Sequence, residues 1–356
     1  MTRTVTPDTL YDRLREGSVS ILEVGTDPPT AGYDAVTLAD DDPLDESVIA
    51  ALTDPVVVID DHGDRGAAVA ATLADAGVTA DHLVGGRRNW LSFAVDRPLA
   101  ATDGAVVQVE RPATGCLSYL VVDGDAAAVI DPLAAIADRY PAIAADHGAT
   151  IRWGLDTHIH DDHVSGRQHL AATTDATPVL PVDVADGVAD TRGLADGETL
   201  PIGDGALTAV AVPGHTPETT AARWGSVFFT SDALHLDAVG RPTRAAGDDA
   251  ALGGALYDSL HDRLLPRPRD TIIAPGHAPP TARRAPDETL TATLNTVRKR
   301  THLKYLNRPT FVEHVTTGRP APPPMADRIT AINRGSAPID HQTAVALDGG
   351  VDPTTR

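Results

Sequence analysis

Between Leu155 and Gly166 the chain reads LDTHIHDDHVSG, three histidines and three aspartates directly behind the apolar run IRWGL. Further donors follow the same pattern. His215 follows ALTAVAVPG, Asp232 follows SVFFTS, and His277 follows TIIAPG. Each sits where an apolar run gives out, so four predicted strands would deliver metal-type ligands to one edge of a sheet. At a strand's end alternate side chains share a face, so His158 and His160 should project together, with Asp162 and His163 turning back towards them. Neutral imidazole and carboxylate are the ligand types of zinc and iron(II).

The remaining histidines, at positions 62, 82, 147, 169, 235, 261, 302, 314 and 341, fit no such spacing and are expected in the core or on the surface.

Composition bounds the partners. The 356 residues carry a net charge of -21, and Lys299 and Lys304 are the only lysines. Such a surface repels nucleic acid and anionic membranes. It also suits a high-salt, halophilic setting, because at ~1 M ionic strength a screening length of ~3 Å relieves self-repulsion. Cys116 is the single cysteine, so no intramolecular disulfide can form. The N-terminal residues MTRTVTPDTLYDRLREG lack an apolar signal core, and no run approaches the ~18 apolar residues of a membrane helix, so a cytoplasmic protein is expected. The sequence allows a homodimer.

Two α/β domains are expected, residues 1–102 and 103–356, with the boundary near Asp103 where the rhythm changes. In the first, SVSILEV, PVVVIDD and ADHLVGG read as strands and GDRGAAVAATLADAG as a helix ending at glycine. In the second, TGCLSYLVVDG supplies the first strand, with Cys116 packed on it, and AAAVIDP follows. LAAIADRYPAIAADHGA and DETLTATLNTVRKRTHLKYL read as helices, the latter opening a helical C-terminal extension.

THIHDDH, PGHT, SDAL, VGRP and APGH, in this order, resemble the metallo-β-lactamase superfamily from about Val107 to Pro280. The resemblance implies an αββα sandwich with the metal at one edge of its two sheets. His158, His160 and His215 would form one metal position and Asp162, His163 and His277 a second, with Asp232 bridging. Within the superfamily SYLVVDGDAAAVIDP, LDTHIHDDHVSG and DALHLDAVGRP are similar to persulfide dioxygenases, with Ser231 where a glycine is usual. That likeness implies one Fe(II) per chain, held by His158, His215 and Asp232, and O₂-dependent oxidation of a low-molecular-weight thiol persulfide to sulfite and free thiol. His160, Asp162, His163 and His277 would then hydrogen-bond around the ligands. The alternative is glyoxalase II-like thioester hydrolysis by two zinc ions. Only 45 residues separate Asp232 from His277, too few for the insert of nucleic-acid-processing members. Arg241 either holds a substrate carboxylate or forms part of a turn.

The stretch PVVVIDDHGDRGAAVAATLADAGVTADHLVGGRRNW resembles the second half of a rhodanese domain, and the likeness spans about Thr6 to Leu99. Asp60 stands where that family carries its persulfide-forming cysteine. The resemblance therefore implies a rhodanese-like domain without sulfurtransferase activity, kept for structure or docking or for binding an anionic sulfur compound.

Overall fold

The computed structural model describes residues 3–25, 33–39, 42–61, 64–100, 104–243, 248–301, 307–318, 321–335 and 338–351. Its first unit is a parallel five-stranded sheet in the order β1-β5-β4-β2-β3. The strands are β1 (Arg3–Val5), β2 (Ser20–Val24), β3 (Val36–Leu38), β4 (Val56–Asp60) and β5 (Ala80–Leu83). Between and after them lie α1 (Pro7–Arg15), α2 (Glu46–Ala51), α3 (Asp64–Asp75) and α4 (Gly86–Leu91). β4 is buried along its whole length, as a central parallel strand of valines and isoleucine must be.

The second unit has two sheets. Seven strands run β12-β11-β10-β9-β8-β7-β6: β6 (Val95–Pro98), β7 (Ala105–Arg111), β8 (Cys116–Asp123), β9 (Ala126–Ile130), β10 (Thr150–Leu155), β11 (Thr177–Pro181) and β12 (Arg192–Leu194). The helices among them are α5 (Arg139–Asp146), α6 (Arg167–Thr173) and α7 (Val182–Ala185). The other sheet runs β13 to β18 in order: β13 (Thr199–Ile202), β14 (Gly205–Ala211), β15 (Thr220–Trp224), β16 (Val227–Ser231), β17 (Ile272–Pro275) and β18 (Ala292–Thr293). Its helices are α8 (Asp249–Ser259), α9 (Leu294–Arg300) and α10 (Arg308–Thr316), with α11 (Ala326–Asn333) and α12 (His341–Asp348) closing the chain.

Period-two patterning explains the layering. On β8, Leu117, Tyr119 and Val121 point into the core shared with the six-stranded sheet, while Leu120 and Val122 join Tyr140 and Leu170 beneath α5 and α6. Both faces of the strand are therefore dry. A third cluster joins the units: Leu10, Tyr11 and Trp90 of the first pack with Val164, Ile329 and Val345. Among the described residues no helix is long and apolar enough to cross a membrane.

Several expectations need correction. Asp103 lies outside the described residues, but β6 already pairs with β7, so the second unit's sheet draws its edge strand from ahead of that position. Cys116 opens the second long strand of this unit, not its first, because Ala105–Arg111 precedes it. The helix expected from Leu133 to Ala149 is a 3₁₀ turn at Ala134–Ile136 followed by α5, with Pro141 in the first helical turn where its missing N–H costs nothing. The helix expected from Asp287 begins only at Leu294. Before it, Leu290 N–H donates to the Gln108 side chain (2.7 Å), and the chain then enters β18, which pairs with β17.

Candidate metal centre

The seven residues singled out as ligands come together at one edge of the two sheets. His158, His160, Asp162 and His163 occupy the loop after β10. His215 follows β14, Asp232 follows β16 and His277 follows β17. Imidazole ring centroids lie 4.1 Å apart for His158 and His160, 4.8 Å for His158 and His215, and 4.1 Å for His160 and His163. Adjacent parallel strands β16 and β17 explain why Asp232 and His277 meet: His277 Nδ1–H donates to Asp232 Oδ1 at 2.7 Å.

Hydrogen bonds select which nitrogen of each ring is left over. His215 Nδ1–H donates to the Arg241 carbonyl (2.7 Å), leaving Nε2 3.7 Å from Asp232 Oδ2. His158 Nδ1 contacts the Thr157 and Ser231 hydroxyls at 3.1 and 3.2 Å, leaving Nε2 3.8 Å from the same oxygen. Nε2 of each ring thus faces one carboxylate oxygen, and one donor atom each from His158, His215 and Asp232 lies within 4.8 Å of the others. His160 is turned the other way. Its Nε2–H donates to Asp131 Oδ1 (3.1 Å), and its buried Nδ1 has no partner. His163 Nε2 is likewise buried without one. Orphaned ring nitrogens beside carboxylates fit a cation, since bare buried polar atoms are otherwise costly.

The electrostatics agree. Burial, with the fields of His160 and His215, holds His158 well below the usual imidazole range, so it is neutral and able to ligate. Burial opposes charge on Asp232, yet His277, with His215 and His235 near, holds it well below the usual carboxylate range. Burial likewise opposes charge on Asp162, which His163 and His277 keep low, and both those rings are in turn lifted well above the usual imidazole range against burial.

Several contributors went unrecognised in the sequence. His235, expected to be uninvolved, places Nε2 4.0 Å from Asp232 Oδ1. Asp131 accepts from Thr157 N–H (2.7 Å) and from His160, bracing the ligand loop at both points. Ser231 has φ +50°, which explains a family preference for glycine there. Its Oγ lies 2.6 Å from Thr157 Oγ1, a compensating contact that glycine cannot make.

Asn333, at the end of α11, is 2% exposed, and its Nδ2 donates to the carbonyls of His160 (3.0 Å) and His163 (2.8 Å) while Oδ1 accepts from Ser165 N–H (2.9 Å). One side chain therefore fixes the loop's curvature. Asn333→Asp keeps the size but removes both donors, and each carbonyl left bare should cost roughly 1–3 kcal/mol. Metal affinity, read by chelator competition, should fall about 10–100-fold. Unchanged affinity would mean that the loop holds its own shape.

Arg241 lines a cavity of about 320 Å³ with His215, Asp232, His235 and His277, and its guanidinium donates to the carbonyls of Thr317 and Gly318 at 3.4 and 3.1 Å. Cys116 is 1% exposed with its Sγ 3.5 Å from Asp162 Oδ2, inside the ligand cluster as well as in the packing beneath it.

No protein-family model matches the chain. Human mitochondrial persulfide dioxygenase ETHE1 is 29% identical over 174 residues, covering 48% of this chain and 66% of that protein, just short of two thirds of its length. A hydroxyacylglutathione hydrolase of Anaeromyxobacter dehalogenans is 34% identical over 135 residues, 38% of this chain and 52% of that one. Among solved structures, ETHE1 from Myxococcus xanthus superposes with a TM-score of 0.55 at 25% identity, over 67% of this chain and 98% of its own. A metallo-β-lactamase from Staphylococcus aureus gives 0.56 at 22% identity over 65% and 72%, a likeness of fold. With its two sheets, its ligand order and these relatives, the chain has the metallo-β-lactamase fold, and its homologues include persulfide dioxygenase and hydroxyacylglutathione hydrolase enzymes.

Proposed function

We propose that the protein oxidises a low-molecular-weight thiol persulfide with O₂, giving sulfite and the free thiol. The observation that carries this reading is the convergence of His158 Nε2, His215 Nε2 and Asp232 Oδ2, while His160, Asp162 and His277 are engaged in hydrogen bonds of their own. Two imidazoles and one carboxylate are the facial triad of non-haem iron oxygenases. One iron(II) held there would supply open positions at which substrate sulfur and O₂ meet. Per turnover one O₂ and one water are consumed, and the outer sulfur leaves with three oxygens.

The chain's own residues position and protonate. His277 bridges Asp162 (Nε2 to Oδ2, 2.8 Å) and Asp232 (Nδ1 to Oδ1, 2.7 Å), so it can hold a proton within reach of the departing thiolate. A cavity of about 410 Å³ lined by Thr114, His235, Leu236, His277 and Ala278 has the mainly apolar wall that a small organic thiol needs. The Arg241 cavity adjoins it through His235 and His277, and Arg241 is the proposed contact for a substrate carboxylate.

The second reading is two-zinc thioester hydrolysis, favoured by the complete seven-residue ligand set and the hydrolase relatives. One experiment separates the two. Protein purified without oxygen should hold about one iron per chain, and a thiol persulfide should drive O₂ uptake with sulfite appearing in step. His277→Ala should keep its iron while turnover falls about 10–100-fold. Two zinc ions per chain, thioester cleavage and no O₂ uptake would overturn the dioxygenase reading.

We further propose that the first unit is rhodanese-like and catalytically silent. Its parallel sheet places Asp60 at the C-terminal end of β4, and Asp60 Oδ2 accepts from Arg65 N–H (2.7 Å) in the first turn of α3, where a sulfur anion would otherwise be held. The full-length protein should transfer no sulfur from thiosulfate to cyanide. Measurable thiocyanate formation would refute the silence.

A further inference from the structure

A cleft of about 790 Å³ lies where the two units meet. α1 of the first unit buries Leu10, Tyr11 and Leu14, while Asp12, Arg15 and the adjoining Glu16 line the cleft. The second unit supplies the loop 280–288 and Arg300 at the end of α9. The junction is pinned beneath the cleft. Tyr11 donates to Glu110 Oε2 (2.7 Å), and Arg284 donates to Glu110 Oε1 (2.8 Å) and to the Glu288 carbonyl (2.9 Å).

The cleft holds donors that the protein leaves unsatisfied. Arg283, on its exposed lip, has no hydrogen-bond or ion-pair partner among the described residues. Arg15 pairs with Glu288 and sits 5.5 Å from the centre of the Tyr11 ring, yet its buried Nε has no acceptor. Arg300 NH1 is buried without a hydrogen bond, its ion-pair partner Asp237 Oδ1 being 3.5 Å away. Carboxylates line the cleft too, but they are already engaged: Glu288 and Asp237 by these arginines, and Glu16 by the Ser18 hydroxyl (3.4 Å). A guanidinium has five N–H donors, so one carboxylate does not saturate it. Buried donors without acceptors are costly, and an oxyanion is the ligand type that satisfies several at once.

The cleft shares Asp237 and Ala282 with the mainly apolar cavity of about 410 Å³ beside His277. We propose that it is a subsite for the oxyanion at the far end of the carrier thiol, held by Arg15, Arg283 and Arg300. A thiol whose sulfur lies next to His277 would extend past Ala282 to these arginines. The first unit thereby serves the reaction without chemistry of its own, by contributing Arg15 to recognition. The inference rests on the cavity beside His277 taking a small thiol, which both proposed reactions require, and not on which reaction runs there. Carboxylate and phosphate offer the same acceptor oxygens, and the experiment tells them apart.

Full-length protein as purified, kept free of oxygen, is titrated calorimetrically at low salt, where screening is weakest. The probes are three free thiols of equal chain length: a long linear mercaptoalkanoate, its methyl ester and the matching mercaptoalkyl phosphate. Their sulfur ends are identical, so differences report the tail. At least one anion should bind about tenfold or more tightly than the ester, and the tighter one identifies the tail. Arg15→Ala and Arg283→Ala should each weaken the anion about three- to tenfold. The ester's affinity should not change, which also shows that the variants fold. Arg283 has no partner to lose, so Arg283→Ala decides alone if Arg15→Ala loosens the units. Anions that bind no better than the ester, or that bind both variants as tightly as the parent, would overturn the subsite and leave the thiol cavity standing. No binding of any of the three thiols would overturn the cavity and the subsite together.

Discussion

Alanine in place of His158, His215 or Asp232 should in each case abolish both iron content and persulfide-dependent O₂ uptake while leaving a folded chain. Three protein donors hold the proposed ion, and loss of any one leaves two, with water in the third place. The effect should exceed the 10–100-fold change expected for residues that only hydrogen-bond the ligands. Folding should survive because His158 and Asp232 are already under electrostatic tension and His215 is partly exposed. His158 is buried against two other imidazoles, and Asp232 is buried with its charge, so neither is a net apolar contribution to the core. The readouts are iron per chain after anaerobic loading and thermal melting of the metal-free protein. A His215→Ala variant that still carried one tightly bound iron would show that Nε2 of this ring is not a ligand.

The donors themselves were legible because they sit at strand ends, and a strand end is a strong sequence signal followed by a short one. Apolar runs such as SVFFTS and TIIAPG mark β16 and β17 unambiguously, and the next polar residue with ligand chemistry is Asp232 or His277. The layers were legible for the same reason. What was lost falls into two kinds. Short elements carry too few residues for a period: β1 and β3 have three each and are held by pairing with long neighbours. The threonine-rich stretch before Leu294 was misread because the side chain that fixes it, Gln108, lies 182 residues away.

The site's supports were illegible for that second reason. Asn333 reaches His160 and His163 from 173 and 170 residues downstream, and Asp348 Oδ1 accepts from Val164 N–H (2.8 Å) across 184. An asparagine in a helical tail has no local mark of such a role. Cys116 was read as packed, and it is, but its nearness to the ligands was not legible. Alternation assigns it to a packed face, which it does occupy, but its position at the strand's first residue also brings it to the sheet edge where the ligands gather.

The second large effect is expected at Arg167, beneath the ligand loop. The side chain is 1% exposed; NH1 donates to Asp156 Oδ2 at 2.5 Å, and NH2 donates to the carbonyls of Asn333 and Gly335. Asp156, with no side-chain exposure, also accepts from Ser165 Oγ (2.7 Å). Arg167→Ala would strip a buried carboxylate of its ion-pair partner and leave it the Ser165 hydroxyl bond and the nearby His160 ring, and breaking such a pair costs about 3–5 kcal/mol. Typical domains are stable by only ~5–15 kcal/mol, so the urea midpoint of the metal-free protein should drop steeply. Replacing both partners should hurt less than the sum of the single changes, because Arg167→Met with Asp156→Leu removes the stranded charge along with the cation. The double variant should nevertheless bind metal weakly, since α11 would lose two of the contacts that hold Asn333 against the loop. If Arg167→Ala shifted stability by less than about 1 kcal/mol, the pair would be behaving like an exposed one. The coupling between the C-terminal helices and the metal loop would then have to run through Asn333 and Asp348 alone.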